Sequence, residues 1–161
     1  MSAMSKLDSP QKESKPGIFF LDTNVFMYAK GAASPLQRPC LQILEHATAG
    51  VHTIKTSAEV IQEILHRYAS IGRRNFGVEL AERILEIFDP VLPVMHTDIR
   101  LASEFMSRYP AIRSRDAIHA AVAINNGISC IISTDRHFDL IKEIKRLSPA
   151  KFSKAGSQRE S

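Results

Sequence analysis

At 161 residues with 44% hydrophobic content, the chain is long enough for one domain with a real core and too short for two comfortable ones. The net charge of +4 excludes a uniformly basic surface: Lys6, Lys12 and Lys15 oppose Asp8 and Glu13 in residues 1–16, and Lys151, Lys154 and Arg159 oppose Glu160 in residues 148–161, so three of the four charges fall outside the core. No apolar run approaches the roughly 20 residues needed to cross a bilayer, and Cys40 and Cys130 lack the spacing of a zinc site, so a soluble, reduced, cytoplasmic protein is expected.

Residues 1–16 are rich in Ser, Lys and Pro and read as a flexible N-terminal tail, as do residues 148–161 at the other end, leaving a domain over 17–147. Ile18-Phe19-Phe20-Leu21 is a short continuous apolar run and reads as a buried parallel strand. Leu36, Cys40, Leu41, Ile43, Leu44 and Ala47 then recur at helical spacing, with Gly50 placed to end the helix. A short strand is expected over 53–55. Thr56 and Glu59 have capping-box spacing, opening a helix whose apolar face is Val60, Ile61, Ile64, Leu65 and Tyr68.

A further helix is predicted over 76–88, and Val91 to Val94 can form a strand only at a sheet edge because of Pro93. Helices over 98–108 and 115–125 follow, separated by Pro110 and a basic loop. Ile128 to Ile132 is a second buried strand, and 138–147 fits either a helix or a turn followed by a strand. The alternation of types gives α/β architecture.

Four acids stand out against this framework. Asp22 and Asp135 follow the two apolar strands, at the carboxyl ends where open parallel sheets bind ligands; an Asp there can equally be a helix cap. Glu63 borders the apolar face of its helix, so its carboxylate can reach inward, whereas Glu59 points away. Asp116 opens a helix that is small and apolar nearly all round, and an ionised carboxylate carried into a core needs a positive partner or several hydrogen bonds. A divalent metal meets that need. The local alternatives are a Glu63 pair with Arg67 one turn on and a helix capped by Ser114 with Asp116 complementing its dipole.

His119 reads as a satisfied core histidine, with orientation of Asp116 as its other possible role. An all-oxygen donor set favours Mg²⁺ or Mn²⁺ over zinc. Arg113 and Arg115 are candidate phosphate clamps beside Asp116.

Three segments, taken together and in order, resemble the PIN-domain ribonucleases, and in size and layout the VapC-type toxins of toxin-antitoxin pairs: Phe20-Leu21-Asp22-Thr23-Asn24-Val25-Phe26; Thr56 to Glu63; and Arg115-Asp116-Ala117-Ile118-His119-Ala120-Ala121 with Ile132 to Phe138. The resemblance implies a three-layer α/β/α sandwich with a small parallel central sheet, a last strand near Lys145 to Leu147, and four acidic positions falling on Asp22, Glu63, Asp116 and Asp135. It also implies supporting roles for Asn24 and Thr134. Asp139 competes with Asp135 for the fourth position.

The expected activity is metal-dependent endoribonuclease chemistry, with Asp22 and Asp116 holding Mg²⁺ or Mn²⁺ and Asp135 and Glu63 completing the cage. A small antitoxin protein covering the cleft and a homodimer are implied by resemblance alone. Two rival readings are a phosphohydrolase using Asp22 as nucleophile, against which Asn24 stands where a second Asp is expected, and a non-catalytic module that binds RNA or protein.

Overall fold

A computed structural model describes residues 17–157, so the predicted tail over 1–16 lies outside the described residues. The elements run β1 (Ile18–Leu21), α1 (Thr23–Lys30), α2 (Gln37–Ala49), β2 (Thr53–Lys55), α3 (Ala58–Ser70), α4 (Arg74–Ile87), α5 (His96–Arg108), α6 (Ser114–Asn125), β3 (Cys130–Ile132), a 3₁₀ turn (Arg136–Leu140), β4 (Lys145–Leu147) and α7 (Pro149–Ser157). Among the described residues, no helix is long and apolar enough to cross a membrane.

The four strands form one parallel sheet in the order β2-β1-β3-β4. Phe20 and Leu21 on β1, and Ile131 and Ile132 on β3, are all fully buried. Successive residues of a strand point to opposite faces, so both faces of the sheet are covered, which gives three layers. The chain builds outward from β1 to β2 on one side, then returns to lay β3 and β4 on the other. The order of strands therefore reverses between β1 and β3, and Asp22 and Asp135 follow those two strands.

Several local expectations are corrected. The cap of α3 is Ser57, whose hydroxyl accepts from the Val60 N–H at 3.4 Å, while Thr56 donates to the Leu21 carbonyl at 3.0 Å and ties α3 to β1. Leu65, assigned to the apolar face, is exposed. Val91 to Val94 forms no strand of the sheet: Leu92 makes a single parallel bridge to Ser57, exchanging hydrogen bonds with Thr56 and Ala58 at 2.9 Å. Helix α1, which the spacing analysis left unassigned, begins one residue after β1.

The segment after Leu147 is also more than a tail. Helix α7 packs on α2 and buries Phe152 against the rings of Phe19, His46 and His52, with centroids 5.2 to 5.8 Å apart. One aromatic side chain thus extends the core past the boundary that its Ser- and Lys-rich surroundings suggest.

Candidate active site

Asp22 ends β1 and caps α1 at the same time. Its Oδ1 accepts from the Thr23 N–H at 2.8 Å, its Oδ2 accepts from the Ser133 hydroxyl at 2.6 Å, and its backbone N–H donates to the Ile132 carbonyl at 3.1 Å. The cap and the site are one arrangement rather than alternatives. Burial raises its carboxyl above the usual range, against the opposing pull of His119 and the two donors.

Asp135 repeats the pattern after β3. Its Oδ1 accepts from the N–H of His137 at 2.9 Å, capping the 3₁₀ turn, and lies 2.7 Å from the His137 Nδ1. Burial pushes this carboxyl up, but the hydrogen bonds and charge of His137 outweigh it and hold the group low. Ser133 joins the two acids, because its hydroxyl accepts from the Asp135 N–H at 2.9 Å while donating to Asp22.

Glu63 is buried, and both its oxygens are engaged. Oε2 accepts from the Thr23 hydroxyl at 2.6 Å and lies 3.0 Å from the His119 Nε2; Oε1 lies 3.3 Å from Arg67 and 3.8 Å from Arg115. Burial opposes ionisation here, yet the hydrogen bonds of His119 and Thr23 and the nearby charges win and lower the carboxyl to about 2. The Arg67 pair that a simple helix-surface reading proposes is real, and it accompanies an inward-facing carboxylate.

Asp116, in the first turn of α6, differs from the other three. Arg113, not Ser114, occupies the cap position and makes no side-chain cap bond. The Asp116 Oδ2 is buried without a hydrogen-bond partner among the described residues. Burial, then the charges of Asp135 and Asp22, push its carboxyl up to about 6. An orphaned carboxylate oxygen beside two further carboxylates is what a cation would relieve, so the donor set fits a divalent metal.

All four acids line one cavity of about 330 Å³, together with Asn24, Arg67, Arg113 and Arg115. Ligand atoms of Asp116, Asp135 and His137 lie within 4.8 Å of one another, as do those of Asp22, Glu63 and His119. Asn24 spans the space between the strand ends, accepting from the Thr134 N–H at 3.4 Å and donating to the Ser133 hydroxyl at 3.5 Å. Thr134 contributes that backbone N–H. Asn24 also leaves the position without the second carboxylate that a phosphohydrolase reading needs.

Asp139 does not share the place of Asp135: it is exposed and paired with Arg146 through two contacts of 2.9 and 3.1 Å. His119 is fully buried but faces Glu63 and, at 3.7 Å, Asp22, rather than serving mainly Asp116. Burial opposes its protonation, but Glu63, Asp22 and Asp116 more than compensate and raise its pKa. Thr23, Ser133 and His119 are the contributors that sequence reasoning missed or underrated, and the adjacency of Thr23 and Ser133 to strand-end acids was the available signal.

The PIN domain family model matches residues 19–144. The chain belongs to the PIN-domain family. Ribonuclease VapC13 of Mycobacterium tuberculosis is 38% identical to this PIN-domain chain over 131 residues, covering 81% of it and 100% of the relative. Among solved structures, FitAcB from Neisseria gonorrhoeae matches the PIN fold with a TM-score of 0.66 at 18% identity, covering 82% of this chain and 98% of that one. VapBC2 from Rickettsia felis, bound to a DNA fragment from its promoter, matches with a TM-score of 0.64 at 17% identity, covering 81% and 98%.

Proposed function

We propose that this PIN-domain protein is a metal-dependent endoribonuclease, cutting RNA phosphodiester bonds as the toxin of a type II toxin-antitoxin pair. The observation that carries the reading is the convergence of Asp22, Glu63, Asp116 and Asp135 on one cavity edged by Arg113 and Arg115. The full-length match to a relative named a ribonuclease supports the same conclusion.

Asp22 and Asp116 would hold Mg²⁺ or Mn²⁺, with Asp135 beside them. When bound, the ion lowers the pKa of a coordinated water and offsets charge building on the phosphate oxygens. Glu63 acts from further back: with both oxygens already engaged, it fixes Thr23, His119, Arg67 and Arg115 around the cavity. Ser133 sets the spacing of Asp22 and Asp135. Arg113, exposed and without a hydrogen-bond or ion-pair partner among the described residues, is placed to take a phosphate oxygen, and Arg115 sits beside it.

A small antitoxin that covers the cavity with a basic side chain would complement its acids, in keeping with the toxin-antitoxin complexes among the structural neighbours. A homodimer and a cytoplasmic location complete the proposal. The test is incubation of the purified protein with structured RNA, including a tRNA pool, and Mn²⁺ or Mg²⁺. Cutting that disappears with EDTA and in Asp116→Asn supports the nuclease; no cutting by folded, metal-loaded, antitoxin-free protein across a broad RNA pool counts against it.

A further inference from the structure

The acid cavity opens into a larger groove of about 700 Å³, and the two share Asn24, Arg67, Arg113 and Asp135. Arg73 also lines the groove and borders a further hollow formed with Arg74 and Asn75. The groove thus shares four lining residues with the acid cavity and Arg73 with the further hollow.

The walls of the groove have two characters. One part is basic: Arg67, Arg73 and Arg113 line it, and among the described residues its one carboxylate is Asp135, whose Oδ1 lies 2.7 Å from the His137 Nδ1. Arg73 has no carboxylate partner among the described residues; its guanidinium lies 4.4 Å from the ring centroid of Phe76 and 5.8 Å from that of Tyr68. Those rings hold the cation in place while leaving its N–H groups without an anion. The other part is apolar, formed by Met27, Tyr28 and Ile71, with Tyr28 37% and Ile71 62% exposed, and Met27 lies against Arg67 at 3.8 Å.

We propose that this groove binds an unpaired RNA segment next to the scissile phosphate, with Arg73 contacting a backbone phosphate and Tyr28 stacking on a base. The inference rests on RNA being the substrate. Charge complementarity selects a polyanion, and the exposed ring beside the arginines selects the unpaired form. A duplex hides its base faces inside the stack and would find phosphate contacts here but no use for the apolar wall; single strands pair a basic track with aromatic platforms.

The experiment uses the full chain carrying Asp116→Asn, so that RNA is bound and not cut, and follows fluorescence anisotropy across a series of KCl concentrations. The probes are an unpaired oligoribonucleotide of about 12 nucleotides, within the range of single-strand site sizes, and the same strand annealed to its complement. Arg73→Gln is expected to lower the slope of log affinity against log salt by about 0.7, the loss of one single-strand phosphate contact. Tyr28→Ala is expected to weaken the unpaired probe by about fivefold or more with the slope unchanged, and Tyr28→Phe to restore binding. Arg100→Gln, on the exposed side of α5, should change neither.

Parent-like binding of the unpaired probe by both Arg73→Gln and Tyr28→Ala overturns the proposal, as does an equal loss for single strand and duplex, or an effect seen only with a protein partner. The outcome is separable from the nuclease reading. Binding that depends on the groove in a protein that cuts no RNA sinks the nuclease alone, whereas RNA cutting with binding indifferent to these variants sinks the groove alone.

Discussion

His119 and Glu63 face each other inside the protein, Nε2 to Oε2 at 3.0 Å, and together they tie α6 to α3 beneath the acid cavity. Glu63 is held ionised and His119 is driven towards its protonated form, so the contact has the character of a buried ion pair. Such pairs add little net stability over apolar packing, but removing one partner strands the other. His119→Ala is therefore expected to destabilise the fold by about 3 kcal/mol, read from urea unfolding. A change below about 0.5 kcal/mol, the range of ordinary surface substitutions, would show that Glu63 is satisfied without it.

Asp116 gives the opposite expectation. Its ionised form is opposed by burial and by two neighbouring carboxylates, so Asp116→Asn should abolish metal-dependent cleavage and stabilise the metal-free protein. After allowing for solvent screening of a half-buried group, the gain is on the order of 1 kcal/mol. Thermal melts in EDTA would decide it, and a lowered Tm would contradict the crowding of charge.

The two carboxyls also set opposing pH trends. Asp116 has a folded pKa of about 6 against an ordinary 3.8, so its penalty is complete above 6 and fades as the pH falls towards 3.8. Glu63 has a folded pKa of about 2 against 4.5, so its contribution is present above 4.5 and is lost as the pH falls from there through 2. From these two groups, metal-free protein should gain stability on acidification from pH 6 and lose it below about 4. Because protons compete with the cation at Asp116, Mn²⁺ affinity measured by calorimetry should rise with pH through about 6 and then level; a flat profile would remove Asp116 from the ligand set.

Phe152→Ala should release α7 from α2 and cost about 3 kcal/mol, as for other buried aromatic truncations. Amide hydrogen exchange gives the sharper readout: protection should fall in α7 and the facing turns of α2 while β1 and β3 stay protected. Unchanged protection in α7 would mean that the helix is held by something other than this ring.

The sequence carried the frame of the sheet and all four acids because both have strong local signatures. Two apolar strands, each followed closely by an Asp, mark the place where strand order reverses, and Glu63 is separated from Glu59 by helical angle alone. What escaped depends on contacts remote in the chain. Thr23 and Ser133 read as ordinary polar neighbours until the fold brings Glu63 to one and Asp22 to the other. His119 reads as a satisfied core histidine from its apolar setting, but only its Nε2 is engaged, reaching across to Glu63 on α3, while its Nδ1 is buried without a hydrogen-bond partner among the described residues. Helix α1 was left unassigned because, lying against both core and site, it buries Thr23 along with its apolar residues and blurs the usual pattern. The extension past Leu147 was missed because one buried ring, Phe152, is invisible in a composition average.

The double duty of Asp22 and Asp135 separates two kinds of loss. Each offers one oxygen to a backbone N–H that starts the next helical turn, and an asparagine can offer the same oxygen because Asn and Asp cap about equally well. Asp-to-Asn is a single-base step in the genetic code. In the proposed reading, disarming such a protein is therefore a shorter evolutionary path than dismantling it, and a disarmed copy would keep the shape through which it engages its partner.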